Sequence, residues 1–127
     1  VSARRIQRWR TKGWRMPEGA IYVGRPSLWG NPWTLGDAAI YDVPPDERPA
    51  WVLTKYRQEL GHFGLVSDYA YLVSEARWNA THDAIDAAGA TNLAEYVPHV
   101  LRGRDLVCWC PLDQPCHADV LLELANA

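Results

Sequence analysis

The chain has few cysteines, no apolar run long enough to cross a membrane, no internal repeat and no low-complexity segment. Each shortage excludes something. Three cysteines, two of them one residue apart at Cys108 and Cys110, do not make the paired framework of a small secreted domain. Reduced thiols or metal ligands are expected instead. The N-terminal residues are basic and Trp-rich and lack the apolar stretch of a secretory signal, so a cytoplasmic location and no membrane partner are expected. What is present is one domain's worth of chain: 127 residues, 48% hydrophobic, enough to bury a core.

The net charge of -2 hides an asymmetry. Residues 1–25 hold Arg4, Arg5, Arg8, Arg10, Lys12, Arg15 and Arg25 against Glu18, a local charge of +6 that leaves -8 for the rest. Trp9, Trp14, Trp29 and Trp33 interleave with these cations. Indole faces beside guanidinium groups suit a nucleobase and a phosphate. The alternative is tryptophan packed in the core with arginine in solvent.

Residues 1–17 read as a basic, Trp-containing arm or short helix, broken at Gly13 and Pro17. A strand is expected over residues 20–23, β-branched and aromatic, ended by Gly24. Two glycines, two prolines and an asparagine over residues 24–33 forbid regular structure. Helices are expected over residues 48–60, 67–88 and 92–97, the last limited by Pro98. A second strand spans residues 105–110. A final helix starts at Pro115, in its first turn, and runs to Ala125. Two strands with helices between them lie most simply parallel and adjacent. The fold expected is a small α/β domain with a short, mainly parallel sheet flanked by helices. The loops after Val23 and after Cys110 then leave the same sheet edge, where open α/β sheets build their sites.

Two groups of residues can carry chemistry there. In a strand, Cys108 and Cys110 point to one face and Trp109 to the other. Cys116 and His117 follow at the helix start, where adjacent side chains are expected to diverge. Metal-free thiols are the first expectation for this set. The alternatives are zinc held by the thiolates of Cys108, Cys110 and Cys116 with the His117 imidazole as a fourth ligand, for which the spacing is poor, or an iron–sulfur cluster on the three cysteines with one open iron. Cys116, at a helix N-terminus, is the candidate nucleophile, with Cys110 beside it and His117 as acid or base. In the other loop, Arg25 can fork onto a phosphate or carboxylate, with Ser27 completing the cradle. Trp29 can stack on a ring, and Asn31 can read an amide-like edge or close its own turn.

The stretch Gly24-Arg25-Pro26-Ser27-Leu28-Trp29-Gly30-Asn31-Pro32, followed by Cys108-Trp109-Cys110-Pro111 and Cys116-His117-Ala118-Asp119-Val120-Leu121, resembles domain of unknown function 4326, a family of small proteins common in phages and actinobacteria. The resemblance runs from about Ile6 to Leu124. Ala118 stands where the family usually has glycine, and the loop from Cys110 to Cys116 is slightly longer than usual. The resemblance implies no activity.

The function expected is an enzyme acting on a nucleotide or nucleic-acid base, in a pocket formed by the loop of residues 25–33 and the loop and helix start of residues 110–117. The alternatives are a non-catalytic nucleic-acid-binding module using the basic N-terminal segment, and a phage-type inhibitor of a host protein.

Overall fold

The computed structural model describes residues 3–25, 27–61 and 75–127. Along them run β1 (Arg5–Gln7), β2 (Ile21–Tyr22), α1 (Leu35–Ile40), a 3-10 turn (Pro45–Glu47), α2 (Arg48–Gly61), α3 (Glu75–Ala87), α4 (Leu93–Leu101), β3 (Leu106–Cys108) and α5 (His117–Ala125). The expected start of a helix near Ser67, with Tyr71 and Leu72, lies outside the described residues, as do His62 and Pro26. The fold is a small α/β domain with a short parallel sheet.

The sheet has three strands in the order β1-β3-β2, all parallel. β3 is central, and Leu106, Val107 and Cys108 are all buried. A strand covered on both faces reads as a continuous apolar run, and the strand expected over residues 105–110 is observed over Leu106–Cys108. β2 pairs with it as expected, Tyr22 opposite Val107. The basic arm differs from expectation. Residues 5–7 form a strand, not a helix, with Gln7 opposite Cys108. Leu106 N–H donates to the Arg4 carbonyl at 3.0 Å, and Arg8 N–H to the Cys108 carbonyl at 2.7 Å. A buried central strand has backbone groups on both edges that need partners, and that need outweighs the weak local helical spacing of the arm.

The helices cover the sheet. Their core combines Tyr56 and Leu60 of α2, Ile85 of α3, Leu93, Val97 and Leu101 of α4, and Val120 and Leu121 of α5. α4 continues through Pro98 to Leu101, beyond the expected stop. An interior proline costs about 3 kcal/mol. Val97 and Leu101 are both fully buried, and each contributes roughly 1.5–3 kcal/mol, which is enough to carry the helix past it. Asn92 caps its start through Glu95 N–H at 2.8 Å. Among the described residues, no helix is long and apolar enough to cross a membrane.

Because all three strands run the same way, Gln7, Tyr22 and Cys108 end at one edge of the sheet. The segments that leave this edge build the candidate site.

Candidate functional site

The loop after β2 is a compact, self-bonded unit. Ser27 N–H donates to the Gly24 carbonyl at 2.9 Å and Gly30 N–H to the Ser27 carbonyl at 3.1 Å. The Arg25 Nε–H donates to the Asn31 carbonyl at 2.8 Å. Asn31 is buried; its Oδ1 accepts from Trp33 N–H at 2.9 Å, and its Nδ2 donates to the Val52 carbonyl of α2 at 3.3 Å. A Cβ on Gly30 would sit 3.1 Å from the Arg25 Cα, and one on Gly24 would collide with the Tyr22 ring. The two glycines therefore permit the close folding of this loop. The role of Asn31 is to close the turn and tie it to α2.

The segment after β3 is built differently. The strand ends at Cys108, so Cys110 lies beyond it in a bend, not within the expected longer strand. Cys116 is the N-cap of α5, with extended backbone (φ -146°, ψ 149°), and Pro115 precedes the helix instead of opening it. That backbone explains why Cys116 and His117 do not diverge: Cys116 Sγ lies 3.6 Å from His117 Nδ1. The Sγ atoms of Cys108, Cys110 and Cys116 all lie within 4.8 Å of one another. Cys108 and Cys116 are buried, with their sulfurs 3.2 Å apart, and Cys110 is half-buried.

Arg5 holds this segment. Its side chain is only 8% exposed. Nη2 donates to the carbonyls of Pro111, Leu112 and Gln114 at 3.1, 2.8 and 2.9 Å, and Nη1 lies 3.4 Å from the Asp119 carboxylate. Asp119 also accepts the Cys116 N–H at 3.1 Å. Sequence reasoning missed this role, because Arg5 reads as one more cation of a basic arm. No local signal marks it: three residues, Arg5–Gln7, are too few to show a strand pattern.

The electrostatics follow from the geometry. In the metal-free cluster, hydrogen bonds from the Cys108 and Cys116 thiols, reinforced by the Arg5 charge, hold Cys110 well below the ordinary thiol range. Cys108 is pushed far up as the donor to Cys110 and Cys116, and by burial. His117 Nε2 lies 2.7 Å from the Val23 carbonyl. A carbonyl only accepts, so Nε2 carries a proton, and Nδ1 lies beside Cys116 Sγ. The Tyr56 ring meets the His117 ring edge-on at 5.3 Å and fixes its plane.

Between the two segments lies a cavity of about 500 Å³. Arg25, Asn31 and Trp33 line it from one side, Cys108, Cys110, Cys116 and His117 from the other, and Tyr22 and Trp109 at the strand ends. Ser27 and Trp29 are not in it. They face a separate cleft with Tyr96 and Val100 of α4. Trp29 is buried, its ring stacked on Tyr96 at 6.2 Å and its carbonyl accepting from the Tyr56 hydroxyl. Ala118, fully buried in the core, does not line the cavity. Arg8 lies over the Tyr22 and Trp109 rings, each at 4.9 Å, and Arg10 over Trp109 at 4.7 Å. Six of the eight expected site residues thus meet in one space, all but Ser27 and Trp29, and the indole that lines it from the first loop is Trp33.

No curated protein and no solved structure matches the chain. Residues 6–127 match the family described as Domain of unknown function (DUF4326), which is essentially the whole chain, and the protein belongs to that family.

Proposed function

We propose that the protein is an enzyme acting on a nucleotide or nucleic-acid base, with the cavity between residues 24–33 and 110–117 as its active site. The observation that carries the reading is the convergence on one cavity of a cationic wall and a thiol–imidazole wall. Its volume is in the range of small-molecule sites. Arg25 is exposed, and its side chain donates to the main-chain carbonyls of Asn31 and Trp33. Among the described residues no carboxylate pairs with it, which suits it to a phosphate. Trp33, in the cavity lining, offers its indole to a base, whereas the Trp109 ring is already stacked by Arg8 and Arg10. The cysteine cluster and His117 Nδ1 supply the reacting groups. Three thiols stay reduced in a cytoplasm, where the reading places the protein.

The test is binding of a panel of nucleosides and nucleoside monophosphates to the wild-type chain and to Arg25→Ala, followed by calorimetry. A monophosphate is expected to bind, and Arg25→Ala to weaken it about tenfold, or 1.4 kcal/mol. A panel without a binder, or equal binding by Arg25→Ala, overturns the reading.

A non-catalytic nucleic-acid-binding role is the second reading, favoured by Arg8 and Arg10 over Trp109 at the strand edge. It predicts single-strand binding that falls steeply with salt and survives Cys116→Ala.

A further inference from the structure

We propose that Cys108, Cys110 and Cys116 bind one zinc ion, with its fourth coordination position open to the cavity. The inference rests on the cavity being an active site only for what that open position is for. The site itself stands on the sulfur geometry.

Three sulfurs from a strand end, a bend and a helix cap converge within 4.8 Å. A tetrahedral ion with zinc–sulfur bonds of about 2.3 Å holds its thiolates roughly 3.8 Å apart. The cluster is of that size. A cubane cluster fits less well, because each thiolate then bonds a different iron and the sulfurs are spread more widely. A Cys108–Cys116 disulfide would use two sulfurs and leave the convergence of the third without a purpose.

The surroundings match a thiolate-rich metal. Three thiolates on a divalent ion leave one negative charge, and Arg5, with its side chain nearly buried, faces Cys116 and Cys108. The same guanidinium fixes the main chain between Cys110 and Cys116 through three carbonyls. A metal site needs such outer partners to orient its ligands. The three sulfurs line the cavity and no fourth cysteine, aspartate or glutamate joins them among the described residues. Three protein ligands with an open position are the pattern of catalytic rather than structural zinc. His117 stays outside the ligand set: its Nδ1 is beside Cys116, and its Nε2–H is committed to the Val23 carbonyl. With zinc bound, its open position would supply Lewis-acid chemistry to the cavity, and His117 Nδ1 would be the imidazole acceptor in the same lining.

The experiment is elemental analysis of the full chain purified without chelator, with cobalt(II) then substituted for the native ion. About one zinc per chain is expected, with intense visible bands and thiolate-to-cobalt charge-transfer bands from a tetrahedral, sulfur-rich site. Cys110→Ser, at a half-buried position, is expected to fold and to bind zinc at least tenfold more weakly, and His117→Ala to retain it. Iron with visible absorption in the native protein, three titratable thiols without metal, or a Cys108–Cys116 disulfide each overturns the proposal. Zinc lost from His117→Ala overturns the open position. Zinc without nucleotide binding removes the functional reading and leaves the metal site. Nucleotide binding without zinc does the reverse.

Discussion

The wall formed by residues 24–33 is bonded mainly to itself, whereas the wall formed by residues 110–117 is bonded to residue 5. In the first, Gly24, Ser27, Gly30, Arg25, Asn31 and Trp33 exchange hydrogen bonds within ten residues. In the second, the internal bonds are few, with Gln114 N–H to the Pro111 carbonyl and the helix cap at Asp119 as the clear ones. Three carbonyls in between are held by one guanidinium more than 100 residues away. The chemically bearing segment is therefore the one whose shape depends on the rest of the fold. The guanidinium that grips it is delivered by β1, paired in the sheet with β3.

The sharpest way to break this contrast is Arg5→Leu. Hydrogen bonds to a charged group contribute about 1.5–3 kcal/mol each, and the freed carbonyls are near enough to solvent to be rehydrated in part. A net loss of about 3 kcal/mol is expected. Urea denaturation checks it, with Arg4→Ala as the control. Arg4 is 75% exposed and 3.8 Å from Asp105, so that change is expected to stay within about 0.5 kcal/mol. Equal costs for the two variants would show that the second wall does not depend on Arg5.

The same contrast decides what was legible in the sequence. The glycines, prolines and asparagine of residues 24–33 announce an irregular, self-closing loop because their constraints are local. The strands at residues 21–22 and 106–108 and the helix over Arg48–Gly61 follow from apolar runs and their glycine and proline borders. The adjacency of the two loops follows from parallel pairing, which topology alone supplies. What was not legible is set by tertiary contacts. Three residues around Arg5 carry too little pattern to reveal a strand, and nothing in the composition of the basic segment separates a buried guanidinium from an exposed one. Trp29 and Trp33 lie four residues apart in one loop, yet one enters the core and the other the cavity. The direction of each is fixed by Tyr96 and Trp51, distant in sequence. The proline before Cys116 resembles a first-turn residue and so suggests helical backbone, but Cys116 is an extended N-cap, with its sulfur 3.2 Å from that of Cys108.

Asn31→Ala tests the self-bonded wall. The side chain is buried and makes two bonds, one within the loop and one to α2. Losing both, with the Trp33 N–H left without its acceptor, is expected to cost about 2 kcal/mol. Thermal unfolding measures the loss. The metal content of the opposite wall should not change, because none of the Asn31 bonds reaches it. A parallel loss of metal would show that the two walls are not held independently.

The smallest expected effect is also the most pointed. Leu112 lies at the tip of the second wall, 59% exposed, and its carbonyl rather than its side chain is what Arg5 grips at 2.8 Å. Leu112→Ser removes an exposed apolar group and keeps the carbonyl in place. Stability is expected to stay within about 0.5 kcal/mol of wild type, as for surface changes that disturb no buried group. Denaturant midpoints for Leu112→Ser and Arg5→Leu, measured side by side, separate the two ways a loop can be held. If the leucine change matched the arginine change, side-chain packing at the tip would be holding the wall. A near-neutral leucine beside a costly arginine means that the main chain of this segment is fixed from the opposite end of the sequence, and that its side chains at the tip are free to vary without moving the sulfurs.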